Sequence, residues 1–201
     1  MAKVKLTKQE AARIMKIKGN VNGAIFSSYY KYIVAKKGEN AVKAIEKRLG
    51  EVGCPIKLKD YSFSGMYPVA NSCLLGLATL EYFDWDESKA FEIGYEAPMY
   101  SVVTKILMKY VSIERIITDS PKYWYRFFDF GELKCTKYDI NKGYAILRLE
   151  GFKKFHPIVY SYIVGYMKRI SEFGNKSQKV KAVQTKSLFN NDSYDEFKIT
   201  W

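Results

Sequence analysis

One histidine, three cysteines and one tight group of carboxylates are the residues through which this 201-residue chain could do chemistry. Nucleophilic catalysis needs a serine or cysteine beside a base, so any such pair must use His156 or a lysine. No serine stands in a Gly-x-Ser-x-Gly elbow. Neither glycine-rich phosphate loop, Gly-x-x-x-x-Gly-Lys nor Gly-x-Gly-x-x-Gly, occurs. Zinc requires three or four closely placed ligands, whereas Cys54, Cys73 and Cys135 are far apart and His156 stands alone. Asp84, Asp86 and Glu87 have the density of a cation site, but Asp86-Glu87 at a helix start is explained by capping and the helix dipole. The inventory therefore predicts no catalytic residue, no metal and no cofactor, and points to binding rather than turnover.

Binding chemistry is better represented. Tyr123-Trp124-Tyr125-Arg126-Phe127-Phe128 places aromatic side chains and a cation on one predicted helical turn and its continuation, with Trp124, Phe127 and Phe128 on one face and Tyr123 and Arg126 on another. Such a segment can wall an apolar pocket whose ligand offers Arg126 an anionic head group, stack on bases, or pack a core. Tyr29, Tyr30 and Tyr32 raise the same alternatives. With Tyr100 and Leu147, the residues Trp124, Arg126, Phe127 and Phe128 form the candidate ligand pocket. The formal net charge of +12 is concentrated in residues 1–48 and 151–188. If those segments meet, Lys16, Lys18, Lys36, Lys37, Lys153, Lys154, Lys168 and Arg169 make a basic face that could attract nucleic acid, anionic lipid or an acidic protein. A solubilising surface rich in lysine explains the same charge.

The elements that must position these residues fall into two parts. Thr7-Lys8-Gln9-Glu10 is a capping box, predicting a helix to about Ile17. Helical spacing then predicts a helix from Val21 to Lys37 and another through Ala41, Val42, Ile45 and Leu49, ending near Gly50 or Gly53. Pro68 opens an apolar helix that Asp84-Trp85-Asp86 breaks. A further helix is expected from about Glu87 to Val111, kinked at Pro98, followed by a helical region from Ser112 that restarts at Ser120-Pro121. Beyond Gly131 the period falls to two. Residues 132–138 and 144–150 alternate around Asn141-Lys142-Gly143, a hairpin signature. His156-Pro157 leads a helix stopped by Gly174, and residues 179–189 and 196–201 form a second hairpin. The expectation is one α+β domain, residues 1–201: a helical part, 1–130, packed on a four-stranded antiparallel sheet built by the ββαββ part, 131–201. A ligand groove belongs between the two.

Hydrophobic residues make up 48% and aromatics 16% of the chain, enough to bury a core without disulfides. The odd cysteine count reads as buried thiols in a reducing compartment. No apolar stretch marks a secretory signal, and the run Tyr67–Phe83 is too short and too interrupted to span a bilayer. The expected location is the cytoplasm.

Several short motifs carry a resemblance. They are Lys18-Gly19-x-Val21, Gly38-Glu39-x-Ala41, the hairpin at Gly143, the helix with Gly165 and Gly174, and the closing strand Phe197-Lys198-Ile199-Thr200-Trp201. Together they resemble the superfamily that contains haem-NO-binding domains, 4-vinyl-reductase-type ligand-binding domains and TRAPP transport-complex subunits. An uncharacterised bacterial paralogous family expanded in myxobacteria looks nearest. The resemblance spans residue 18 to the end. It implies a pocket between helices and sheet that members fill with haem, a small hydrocarbon or an acyl chain. It also implies that haem-binding members carry a histidine on a helix ahead of the sheet and a Tyr-x-Ser-x-Arg cluster. This sequence has neither, since His156 follows the first hairpin. Separately, the chain is expected to form a homodimer through its helices. The expected function is a haem-free, non-enzymatic module that binds an apolar small molecule or acyl chain, or serves as a signalling adaptor. The alternative is a nucleic-acid-binding protein using the basic face.

Overall fold

The Thr7 hydroxyl accepts from the Glu10 amide at 3.1 Å, so the first helix starts where the capping box predicts. The computed structural model describes residues 3–86, 88–101, 104, 111–175 and 179–201. Among them α1 spans Lys8–Met15, α2 Ala24–Lys37, α3 Glu39–Glu51, α4 Val69–Tyr82, α5 Lys89–Glu96, α6 Ile113–Phe127 and α7 Pro157–Gly174. The apolar helix α4 is buried along nearly its whole length from Val69 to Leu80 and forms the centre of the helical part. None of the described helices is long and apolar enough to cross a membrane.

Strands β3 (Glu132–Asp139), β4 (Tyr144–Glu150), β5 (Lys181–Lys186) and β6 (Asp195–Thr200) form one antiparallel sheet in the order β3-β4-β6-β5. The two predicted hairpins therefore join through β4 and β6, with Leu147 opposite Phe197 and Ala145 opposite Ile199. Period-two alternation sends Leu133, Ala145, Leu147, Leu149, Phe197 and Ile199 to one buried face. A bulge between Cys135 and Lys137 breaks that alternation in β3 and leaves Cys135 only half-buried. Helix α7 crosses between the hairpins and lies against α5 at unusually close range. A methyl group on Gly94 would stand 2.0 Å from the Tyr162 carbonyl oxygen, and one on Gly165 would stand 2.1 Å from that of Phe91.

Four expectations need correction. Val21 is not in α2 but in a short strand β1, Asn20–Asn22, paired antiparallel with β2, Met66–Pro68. Asn22 Oδ1 then accepts from the Ala24 amide at 2.9 Å and starts α2 two residues later. The helix expected from Glu87 to Val111 ends at Glu96, passes through a 3-10 turn at Ala97–Tyr100 and is extended at Ser101. Most of its later half lies outside the described residues. The restart at Pro121 does not occur. Helix α6 runs through it, because the Ser120 hydroxyl donates to the Ile117 carbonyl at 2.8 Å and replaces the hydrogen bond that proline cannot make. The final hairpin has a longer connection than Asn190-Asn191-Asp192. It includes a 3-10 turn, Leu188–Asn190, and Asn191 at φ 64°. Asp195 Oδ1 accepts from the Leu188 amide and from Gln184 Nε2, both at 3.0 Å, and so folds the connection onto β6.

Candidate functional site

A cavity of about 450 Å³ lies between the helical part and the sheet, walled by residues of α2, α4, α5, α6, α7, β3, β4 and β6. That volume is in the range of small-molecule sites. The structure brings five predicted pocket residues to it: Trp124, Arg126, Phe127, Phe128 and Leu147. Tyr100 is not among the described lining residues. Its ring instead meets Tyr32 edge-on, centroids 5.7 Å apart.

The aromatic segment reaches the cavity by a different route from a single helical face. Helix α6 ends at Phe127, and Phe128 is extended, bridged to Val21 of β1. This turn lays the Phe128 ring nearly parallel to Trp124, centroids 4.1 Å apart at 15°. Trp124 is buried, and its indole N–H donates to the Phe130 carbonyl at 3.1 Å, which satisfies the one polar atom of a large apolar group. Phe152 and Phe155 extend the wall beyond β4, with Phe152 edge-on to Trp124 at 5.8 Å. At the rim Arg126 is exposed, its guanidinium 5.4 Å from the Tyr123 ring centroid. It is the one charged side chain among the described lining residues. Phe63, 55% exposed, lines the same cavity, so Phe63 and Arg126 mark an opening to solvent.

Sequence reasoning missed Phe152 and Phe155, which fall in the connection after β4, and the tyrosines of α7. Tyr162 and Tyr166 line the cavity beside Tyr29 and Cys73. Their helical spacing on α7 was the available signal. Burial pushes the Cys73 thiol up to about 12, which keeps it protonated and unreactive at neutral pH.

The predicted basic residues do not all gather. Arg13 donates to the Phe155 and Lys154 carbonyls at 2.7 and 3.5 Å, which ties α1 to the segment carrying Lys153 and Lys154. Lys18 and Lys153 line one shallow cleft with Asp129, and Lys16 caps α1 nearby. Lys36 pairs instead with Glu96 at 2.9 Å, and Lys37 lies 6.0 Å from the Phe83 ring centroid. Lys168 and Arg169 both reach Glu172, at 3.2 and 3.4 Å, and both lie 4.8 Å from the Tyr95 ring centroid.

This architecture is that of the H-NOX domains among solved structures. An H-NOX protein from S. oneidensis, solved in an Fe(II)NO ligation state, superimposes with a TM-score of 0.67 over 89% of this chain and 97% of its own, at 11% identity. An oxygen-binding H-NOX domain related to soluble guanylate cyclases gives 0.61 over 89% and 94%, at 13% identity. An Fe(II) unliganded H-NOX mutant from K. algicida gives 0.59 over 89% and 95%, also at 13%. No protein-family model and no curated protein matches the sequence. The chain thus has the H-NOX fold, an α+β arrangement with a four-stranded antiparallel sheet.

The residues do not fit a histidine-ligated haem. The chain's one histidine caps α7, where His156 Nδ1 accepts from the Ile158 amide at 3.3 Å. Its Nε2 lies 3.5 Å from Glu10, and His156 is not among the described lining residues. The one cation among those residues, Arg126, is exposed at the rim.

Proposed function

We propose that this chain is a ligand-binding module of the sensor type whose cavity takes an apolar organic molecule rather than haem. The observation that carries this reading is the cavity itself. Both halves of the fold contribute its walls, aromatic and aliphatic side chains dominate them, and the one cation among the described lining residues stands at the opening. Burial of apolar ligand surface supplies affinity at roughly 25 cal/mol per Å², while Arg126 favours a ligand whose outer end is polar or anionic. The wider superfamily resemblance supports this, since its members place different molecules in the corresponding space. The described lining residues include no nucleophile–base pair, which favours binding without turnover.

The test is titration of the full chain with 1-anilinonaphthalene-8-sulfonate, followed by its fluorescence. Saturable binding, competed by an uncharged apolar molecule and weakened by Arg126→Gln, is expected. Stoichiometric haem in protein expressed with a haem precursor, seen as a porphyrin absorption band, overturns the haem-free reading. Dye fluorescence that no apolar competitor displaces overturns the cavity reading.

A further inference from the structure

Tyr29, on α2, is 8% exposed and lines the cavity together with Tyr162 of α7. The two rings lie nearly parallel, with centroids 5.8 Å apart and 12° between their planes. Tyr29 Oη stands among other lining groups, for a methyl group added at Gly76 of α4 would lie 3.0 Å from it and 3.6 Å from Ile158 Cδ1. Among the described residues neither the Tyr29 nor the Tyr162 hydroxyl has a hydrogen-bond partner. Two other tyrosine hydroxyls, by contrast, are matched. Tyr95 donates to Glu172 at 2.6 Å, and Tyr160 to the Lys153 carbonyl at 3.3 Å. Buried hydroxyls are normally paired, because stripping one of water without replacement is costly. Tyr29, buried, and Tyr162, half-buried, thus bring to one cavity two donors without a partner among the described residues, which points to something that enters it.

From this we infer that Tyr29 and Tyr162 are specificity residues that donate to a neutral oxygen acceptor, of the ketone, ester or ether kind, on the buried part of the ligand. The inference rests on the cavity being a ligand site and adds the chemistry of the buried end. A carboxylate is unsuitable there. Among the described residues, the groups that act electrostatically on the two hydroxyls, besides one another, are Cys73, Tyr32 and Tyr166, none of them cationic. Burial also pushes both phenols above their ordinary range, so they stay protonated donors. A site built around hydrogen-bond donors rejects an analogue that lacks the acceptor, because the donors are then buried unpaired.

The experiment compares 2-acetylnaphthalene with 2-ethylnaphthalene, similar in shape but different in one oxygen, by displacement of 1-anilinonaphthalene-8-sulfonate from the full chain. The acetyl compound should bind about tenfold more tightly. Tyr29→Phe with Tyr162→Phe should abolish the difference, by weakening the acetyl compound and tightening the ethyl compound, whose binding no longer leaves two hydroxyls unpaired. Each single change should reduce the ratio severalfold, which serves if the double variant melts early. Equal affinities in the unaltered chain, or a preference that survives both changes, overturn the inference and leave the cavity reading standing. If neither compound displaces the dye, the cavity reading falls and takes this one with it.

Discussion

Ser28→Leu separates a cavity from a solid core. Ser28 lines the cavity from α2, where leucine enlarges the side chain by a branched apolar group. Each methylene removed from water is worth about 0.8 kcal/mol. With partial burial of the new side chain and a few tenths from better helix propensity, the variant should be more stable by about 1–2 kcal/mol. In a filled interior the same change would force neighbouring side chains off their rotamers and cost about 1–3 kcal/mol. The two cases thus differ in sign. Urea unfolding monitored by circular dichroism measures the difference directly, provided the slope against denaturant is unchanged. The variant should also bind 1-anilinonaphthalene-8-sulfonate less tightly, since leucine takes the ligand's space. A destabilised variant that binds the dye as before would refute the reasoning.

Three further outcomes test the packing and the electrostatics. The methyl of Gly94→Ala meets the Tyr162 carbonyl oxygen at 2.0 Å, and both are held by the α5–α7 crossing. That change should lower stability by about 3 kcal/mol. Gly50→Ala, with nothing within 4 Å of the new methyl, should instead stabilise α3 by about 0.5–1 kcal/mol in the same unfolding assay. Cys73 gives a pH signature. Its thiol is pushed from an ordinary value of 9.0 to about 12 by burial, so the unfolded chain loses this proton first and the folded state binds more protons between those limits. Stability from this group is intact below about pH 9 and falls by about 1.4 kcal/mol per pH unit from there toward about pH 12. The loss of stability between about pH 9 and 10.5 should accordingly be about 2 kcal/mol smaller in Cys73→Ala than in the unaltered chain. Parallel pH profiles would refute the assignment.

The β part was legible because its signals are local. Alternation in residues 144–150 and turn chemistry at Gly143 place β4, and the buried positions Ala145, Leu147 and Leu149 follow from period two. The helical part was legible in its main helices but less so at their edges. Val21 continues the helical spacing of Ala24 and Ile25, yet it is a strand because β2, far along the sequence, pairs with it. Nothing local marks that pairing. Pro121 shows the opposite failure, in which a strong local signal was overridden by the Ser120 hydroxyl beside it. At the site, the segment 123–128 stood out by composition alone. Phe152, Phe155 and Tyr162 did not, because what makes them lining residues is the folding of α7 back across the sheet.

The contrast between scaffold and site bears on function. At 11% and 13% identity to two of the H-NOX structures, this chain shares their fold, which depends on apolar patterning and close helix contacts that many sequences can supply. It does not place a histidine at the cavity. Iron ligation depends on one donor atom at one position, whereas an apolar cavity depends on the summed shape of many side chains. The first can be lost by a single substitution while the second persists. On the function proposed above, specificity lies in the side-chain hydroxyls of Tyr29 and Tyr162, which line the cavity. The loss of discrimination in the paired Tyr→Phe variant is the measurement on which that view stands or falls.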